Sequence, residues 1–76
     1  MQNWNKISPA QITRTKNGTD MSVFKNTKGT FDATVTDFRL ITLLDMEELS
    51  ANATFKTQRM AAEFCEEFAL KIEAAE

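Results

Sequence analysis

The sequence predicts an α+β domain: an antiparallel meander of three or four strands, with a short helix and a long C-terminal amphipathic helix packed on one face. Two turns with specific glycine chemistry and one uninterrupted helical pattern lead to this fold class. The 76 residues, of which 42% are hydrophobic, suffice for a single small α+β domain over residues 1–76. A domain of this size leaves much of its surface in water, so we expect a small stability margin.

The N-terminal segment is compatible with two structures. Ser8-Pro9-Ala10-Gln11 resembles a capped helix start, with Pro at the first helical position. The β-branched and Thr-rich residues that follow favour a strand instead, and a strand is the interpretation we prefer.

Two turns organise the first half of the sheet. Asn17-Gly18 suits a two-residue type I′ turn, because both central positions of that turn need a positive φ. Strands are therefore expected near Gln11–Lys16 and Thr19–Lys25. The segment 26–29 begins with Asn and ends with Gly, which fits a type I turn followed by a glycine in the left-handed region.

A long extended stretch is expected from Thr30 to Leu43. Its first half alternates apolar and polar residues with the period of a half-buried strand, namely Phe31, Ala33 and Val35 against Asp32, Thr34 and Thr36. The alternation changes phase beyond Asp37. The sequence therefore predicts either one strand with a bulge at Asp37 or a bend into a fourth strand.

A short helix is expected after this stretch. The segment 45–48 resembles a capping box, with Asp45 as N-cap and Glu48 three residues on, so the helix would run through about Ala51. Residues 54–56 are expected to be extended.

The main helix is predicted to begin after the N-cap Thr57 and to run roughly from Gln58 to Ala75, since its interior contains no Gly or Pro. Helical periodicity separates its two sides. The apolar stripe, expected to pack on the sheet, consists of Met60, Ala61, Phe64, Cys65, Phe68 and Ile72.

The opposite side of this helix supplies the predicted partner-binding residues. This acidic arc consists of Glu63, Glu66, Glu67, Leu70 and Glu73. It is either a solvated face with one stray leucine or a contact surface with an apolar anchor inside a charged rim. Charge distribution favours the contact surface, because residues 1–43 carry a formal +3 and residues 44–76 a formal -5.

Catalytic chemistry is not apparent in the sequence. The chain has no His, so it lacks the usual general base and the commonest metal ligand. Cys65 lies on the apolar stripe, the two glycines lie in turns, and nothing matches a phosphate loop or a calcium loop. We therefore expect no enzyme activity, no metal and no cofactor.

One cysteine and an N-terminus without an apolar signal core favour a reducing, cytoplasmic location. The longest apolar run, within residues 40–44, is too short to cross a bilayer, so no membrane partner is expected.

The function we favour is a small non-enzymatic protein-binding module. A phage-encoded inhibitor of a host defence complex, similar in kind to the anti-CRISPR proteins, is one concrete version. Its acidic surface would meet a larger host protein or complex with a basic, nucleic-acid-handling surface. Size, missing catalytic chemistry and the acidic arc support this expectation, and no shared motif does.

Two alternatives belong to other classes. A nucleic-acid-binding module would use the basic residues of the predicted hairpin and its neighbours, which are Arg14, Lys16, Lys25, Lys28 and Arg39. The negative net charge makes direct nucleic-acid binding the weaker hypothesis. A structural or homodimeric subunit would pair through an exposed sheet edge or through Leu70.

Overall fold

The computed structural model describes residues 3–76 and confirms the predicted α+β fold class. A five-stranded antiparallel sheet has the order β1-β2-β3-β4-β5, so each strand lies beside its neighbours in sequence. The elements in chain order are β1 (Asn5–Ser8), β2 (Gln11–Lys16), β3 (Thr19–Lys25), β4 (Phe31–Thr36), α1 (Arg39–Thr42), β5 (Ser50–Phe55) and α2 (Gln58–Ala75).

Both predicted turns are confirmed. Asn17 and Gly18 have φ values of 51° and 85°, as a type I′ turn requires, and they join β2 to β3 with Lys16 opposite Thr19, as a two-residue turn implies. Gly29 has a φ of 84° and closes the second turn. The side chain of Asn26 stabilises that turn by accepting hydrogen bonds from the backbone N–H groups of Lys28 and Thr30.

The N-terminal segment forms a strand and not a helix. β1 pairs with β2, and its register is irregular between Lys6 and Ser8. A tight turn at Pro9 and Ala10 then leads into β2. This first hairpin adds a strand that the periodicity did not predict.

The extended stretch predicted from Thr30 to Leu43 is wrong in its second half. β4 ends at Thr36, and the chain turns into α1. The Asp37 carboxylate accepts a hydrogen bond from the backbone N–H of Arg39, and Leu40 is fully buried. The phase change beyond Asp37 therefore marks a helical turn, in which Leu40 points inward while Phe38 and Ile41 are exposed.

The short helix predicted from Asp45 to about Ala51 is also wrong. Asp45 has a φ of 57°, whereas an N-cap residue is extended. Residues 46–49 form an irregular connection, and the chain pairs with β4 from Ser50 onward. Pairing with β4 satisfies the backbone of this segment over six residues, which outweighs a local preference for one helical turn.

α2 begins and ends where the sequence predicts. The Thr57 hydroxyl accepts a hydrogen bond from the Met60 N–H at 3.1 Å, which confirms the N-cap. The buried face is rotated from the predicted stripe, and its members are Ala61, Ala62, Cys65, Ala69 and Ile72. The expectation that Met60 is buried is wrong, and Phe64 and Phe68 are half-buried at the edge of the contact.

The rotation has a steric cause. Small alanine side chains let the helix approach the sheet closely, where it packs on Ile12, Met21, Val23, Ala33 and Val35. The bulky phenylalanines fill the space toward β5 instead. The other side of the sheet stays open to solvent and carries the alternate, mostly polar residues of each strand.

Candidate protein-interaction surfaces

The acidic arc predicted on α2 divides into two groups in the structure. Glu66 and Glu73 face the β2–β3 hairpin. The Glu66 carboxylate accepts hydrogen bonds from the Arg14 guanidinium at 2.7 Å and from the Trp4 indole N–H at 3.3 Å. These contacts attach the middle of the helix to β2 and to the residue that precedes β1.

Glu73, further along α2, also attaches the helix to the β2–β3 hairpin. Its carboxylate accepts a hydrogen bond from the Asn17 amide at 2.9 Å and lies 3.5 Å from the Lys16 ammonium. Glu66 and Glu73 are thus engaged within the molecule, and their charges are balanced by the hairpin.

Arg39 is paired with carboxylates as well. Its guanidinium donates to both oxygens of Asp37, with the shortest contact at 2.8 Å, and to the Glu76 carboxylate at 2.7 Å. The bonds from Arg39 and from the Thr19 hydroxyl lower the pKa of Asp37 to about 2. Three of the five cations proposed for nucleic-acid binding, Arg14, Lys16 and Arg39, therefore already have carboxylate partners.

The remaining members of the acidic arc are Glu63, Glu67 and Leu70. Together with Met60, which the sequence assigned to the apolar stripe, they form the outer face of α2. Leu70 is 57% exposed and Met60 is 47% exposed. Glu63 lies 3.8 Å from Arg59, but both side chains are mostly in solvent, so this pair contributes little. The outer face thus keeps two apolar side chains beside two exposed carboxylates.

A groove of about 230 Å³ lies between β5 and the N-terminal half of α2. Phe55, Met60 and Phe64 form its apolar lining, and Glu63 and Glu67 lie at its rim. The Phe55 and Phe64 rings are 5.4 Å apart between centroids, which fixes the floor of this β5–α2 groove.

Among residues 3–76, half of the large apolar side chains that are exposed belong to the segment around α1. This α1 patch consists of Phe38, Ile41, Leu43 and Leu49, which are 66%, 40%, 40% and 50% exposed. The Asp37 N–H donates to the Leu49 carbonyl at 2.9 Å, so both ends of the segment stay together. Three exposed carboxylates, those of Asp45, Glu47 and Glu48, belong to the same segment.

Sequence reasoning missed the α1 patch because it assigned residues 38–44 to a strand. A signal was nevertheless present: the segment 38–49 contains more large apolar residues than one face of a strand can bury. The helical turn at Arg39–Thr42 and the irregular connection after it leave these side chains exposed.

The open side of the sheet has a different character. Its central row, read across four strands, is Thr13, Ser22, Thr34 and Asn52. Asp20 and Asp32 lie on the same side, and in β2 to β5 the cationic residues lie on the helix side. Phosphate backbones need cations, so this side of the sheet does not favour nucleic acid.

Cys65 lies in the core between helix and sheet. It is buried, as predicted, with its thiol 3.8 Å from the Thr34 carbonyl. Burial raises the pKa of the Cys65 thiol to about 11. Among residues 3–76, no three His, Cys, Asp or Glu side chains are placed to hold a metal ion.

Neither helix of the described chain has the length and apolar character that a membrane crossing requires. Comparison with known proteins finds no matching family model, no similar curated protein and no similar solved structure.

Proposed function

We propose that this chain is a non-enzymatic protein-binding module whose partner presents a basic surface with apolar contacts. The α1 patch is the observation that carries this proposal. It places four large apolar side chains at the surface within twelve residues of sequence, from Phe38 to Leu49. Exposed apolar residues are common singly, whereas a group of this kind is typical of an interaction site.

The energetics of such a site favour association. Complete burial of a fully exposed large apolar side chain contributes about 1.5–3 kcal/mol, and these partly exposed side chains would each contribute a fraction of that. Phe38 is the most exposed of the four and is the expected anchor. The carboxylates of Asp45, Glu47 and Glu48 would raise the rate of encounter with a basic partner and make it sensitive to salt.

The acidic character extends to the outer face of α2, where Glu63 and Glu67 are exposed. Proteins that handle nucleic acid present basic surfaces, which an acidic domain can occupy in place of phosphates. An inhibitor of a host defence complex, anti-CRISPR-like in kind and encoded by a phage, is the version of this function that we favour.

The nucleic-acid-binding alternative has less support. Arg14, Lys16 and Arg39 are paired within the molecule, so binding a phosphate backbone would have to compete with those carboxylates.

The test uses the native chain as immobilised bait in bacterial lysate, with identification of the retained protein by mass spectrometry. Affinity is then measured with that protein in purified form. We expect Phe38→Ser and Leu49→Ser to weaken binding at least about tenfold each, as central anchors do. Ile7→Ser is the matched control, because Ile7 is 61% exposed but lies on β1, at the opposite edge of the sheet.

Three results would contradict the proposal. The first is a partner that binds the Phe38 and Leu49 variants as tightly as the native chain. The second is a salt-dependent shift with single-stranded DNA and no protein partner. The third is a homodimer in solution that the Phe38 variant abolishes, since the α1 patch would then be covered by a second copy.

A further inference from the structure

The two edges of the sheet differ in how well they are protected against further strand pairing. β1 is short, irregular between Lys6 and Ser8, and followed by Pro9, all of which discourage pairing. β5 has six residues, none charged and none Pro, in continuous register with β4. Within residues 3–76, no turn, loop or helix backbone bonds to β5.

The hydrogen-bond pattern identifies the free groups of this edge. The Asp37 N–H donates to the Leu49 carbonyl, and bonded pairs alternate along an antiparallel ladder. Ala51, Ala53 and Phe55 therefore direct their backbone groups toward β4. Ser50, Asn52 and Thr54 direct their N–H and C=O groups outward, where an additional strand would bond.

The β5–α2 groove lies directly beside this edge and adds chemical selectivity. Phe55 belongs to β5 itself, and Met60 and Phe64 extend the apolar lining onto α2. A strand added to β5 would send alternate side chains to the helix side, toward these residues. The carboxylates of Glu63 and Glu67 at the rim select basic side chains there.

We infer that β5 and the β5–α2 groove bind an extended segment of the partner in which basic residues alternate with apolar ones. This inference rests on the proposed protein-binding function and names the form in which part of the partner is held. Strand addition supplies the main-chain hydrogen bonds, and the groove supplies the preference for basic side chains.

A second copy of this chain is a poorer occupant. Antiparallel pairing of two β5 strands would place the Phe55 end of one copy against the Ser50 end of the other. Glu47 and Glu48 immediately precede Ser50, so they would approach the Glu63 and Glu67 rim of the other copy. Like charges at that junction oppose the dimer and favour a basic segment.

The probe is a fluorescent, end-blocked peptide of about ten residues that alternates lysine and valine, long enough to cover β5. Binding to the purified full chain is followed by anisotropy at low and high NaCl. The matched peptide replaces every lysine with glutamate and keeps the same main-chain bonding capacity. On the protein side, Asn52→Pro removes one outward N–H, whereas Asn52→Thr changes the side chain and keeps that N–H.

We expect the lysine peptide to bind the native chain and Asn52→Thr alike, and to bind Asn52→Pro at least about tenfold more weakly. The glutamate peptide should bind about tenfold more weakly than the lysine peptide, and the Glu63→Gln/Glu67→Gln variant should lose most of the salt dependence. If Asn52→Pro does not fold, the lysine peptide with alternate amides N-methylated takes its place, and weaker binding is again expected.

Equal binding to Asn52→Pro and Asn52→Thr, or equal binding of the two peptides, would overturn the inference. So would a native dimer in sedimentation that Asn52→Pro abolishes, because a second copy would then occupy the edge. Capture of a partner that depends on Phe38 but not on Asn52 would leave the proposed function standing and refute only this inference. Peptide binding without any Phe38-dependent partner would support this inference and refute the proposed function.

Discussion

Arg39 joins three parts of the chain that are distant in sequence. Its guanidinium contacts the Asp37 carboxylate, the Glu76 carboxylate at the end of α2, and the Asn17 carbonyl in the β2–β3 turn. Gly18 leaves room for this contact, since a Cβ there would lie 3.3 Å from the guanidinium. The buried Asp37 also accepts a hydrogen bond from the Thr19 hydroxyl at 2.7 Å. One arginine thus holds the hairpin, α1 and α2 together.

The Asp37 pairing predicts a specific loss of stability in acid. Its pKa is lowered from 3.8 to about 2, so the charged form is stabilised in the folded state. This contribution is fully present above the unfolded pKa and is lost as the pH falls through the folded one, and it amounts to about 2 kcal/mol. Urea unfolding should show Asp37→Asn less stable near neutral pH by about that amount. The difference in free energy of unfolding between the native chain and Asp37→Asn should disappear toward about pH 2. A difference that does not depend on pH would contradict this assignment.

Cys65 is predicted to be inert in the folded state. Its side chain is buried, and its thiol has a pKa of about 11, so little thiolate exists at neutral pH. A thiol reagent should label it slowly under native conditions and rapidly in denaturant, with the native rate set by opening of the fold. Native labelling as fast as in denaturant would show that the helix–sheet contact is not closed in solution.

At the scale of elements, the alanines of α2 determine how close the helix lies to the sheet. Ala69 is buried against the strands, whereas Met60 points into solvent. Ala69→Leu should therefore destabilise the fold by about 1–3 kcal/mol through overpacking. Met60→Ala truncates a larger side chain, but that side chain is largely exposed. The free energy of unfolding should therefore change by no more than about 0.5 kcal/mol. Denaturant midpoints compare the two, and the opposite order would mean that the helix is rotated toward the sequence-predicted stripe.

The two groups of carboxylates on α2 allow a charge-matched comparison. Glu63→Lys/Glu67→Lys and Glu66→Lys/Glu73→Lys change the net charge equally. The first pair is exposed and should leave stability nearly unchanged, as should Leu70→Lys. The second pair places cations beside Arg14 and Lys16 and should cost about 1–3 kcal/mol. Equal thermal shifts in both double variants would contradict a structural role for Glu66 and Glu73.

The same outer-face variants test the surface that the sequence predicts for binding. Glu63→Lys/Glu67→Lys and Leu70→Lys should weaken binding to the captured partner while the fold stays intact, because they reverse the rim charge and remove an apolar contact. Affinity measured beside circular dichroism separates the two effects. Full affinity in both folded variants would leave the α1 patch as the binding surface.

At the scale of the whole molecule, the helix packs on one side of the sheet, and the strands differ in burial. The protection of backbone amides against hydrogen exchange should follow that burial. β3 and β4 lie in the middle of the sheet and contribute the fully buried Val23 and Val35. Their amides should exchange with solvent most slowly, while those of β1, which is mostly exposed, should exchange first. Hydrogen exchange measured by NMR checks this order, and slow exchange throughout β1 would indicate that another molecule covers that edge.

Short-range chemistry accounts for the elements that the sequence predicts correctly. Asn17-Gly18 sets the β2–β3 hairpin and its register, because few residue pairs accept two positive φ values. The turn ending at Gly29 and the N-cap at Thr57 likewise depend on groups within a few residues. Each of these turns and caps depends on residues that are close in sequence, so its conformation can be predicted without knowing the tertiary structure.

The segment between β4 and α2 could not be predicted in this way, because distant partners compete with its local signals. The capping-box pattern at Asp45 does not form a helix, because pairing of Ser50–Phe55 with β4 is more favourable. The roles of the carboxylates on α2 depend on where a hairpin more than fifty residues earlier places Arg14 and Lys16. Helical spacing groups Glu63, Glu66, Glu67 and Glu73 on one arc. Only the packing of helix on sheet separates the carboxylates that pair with the hairpin from those that stay exposed.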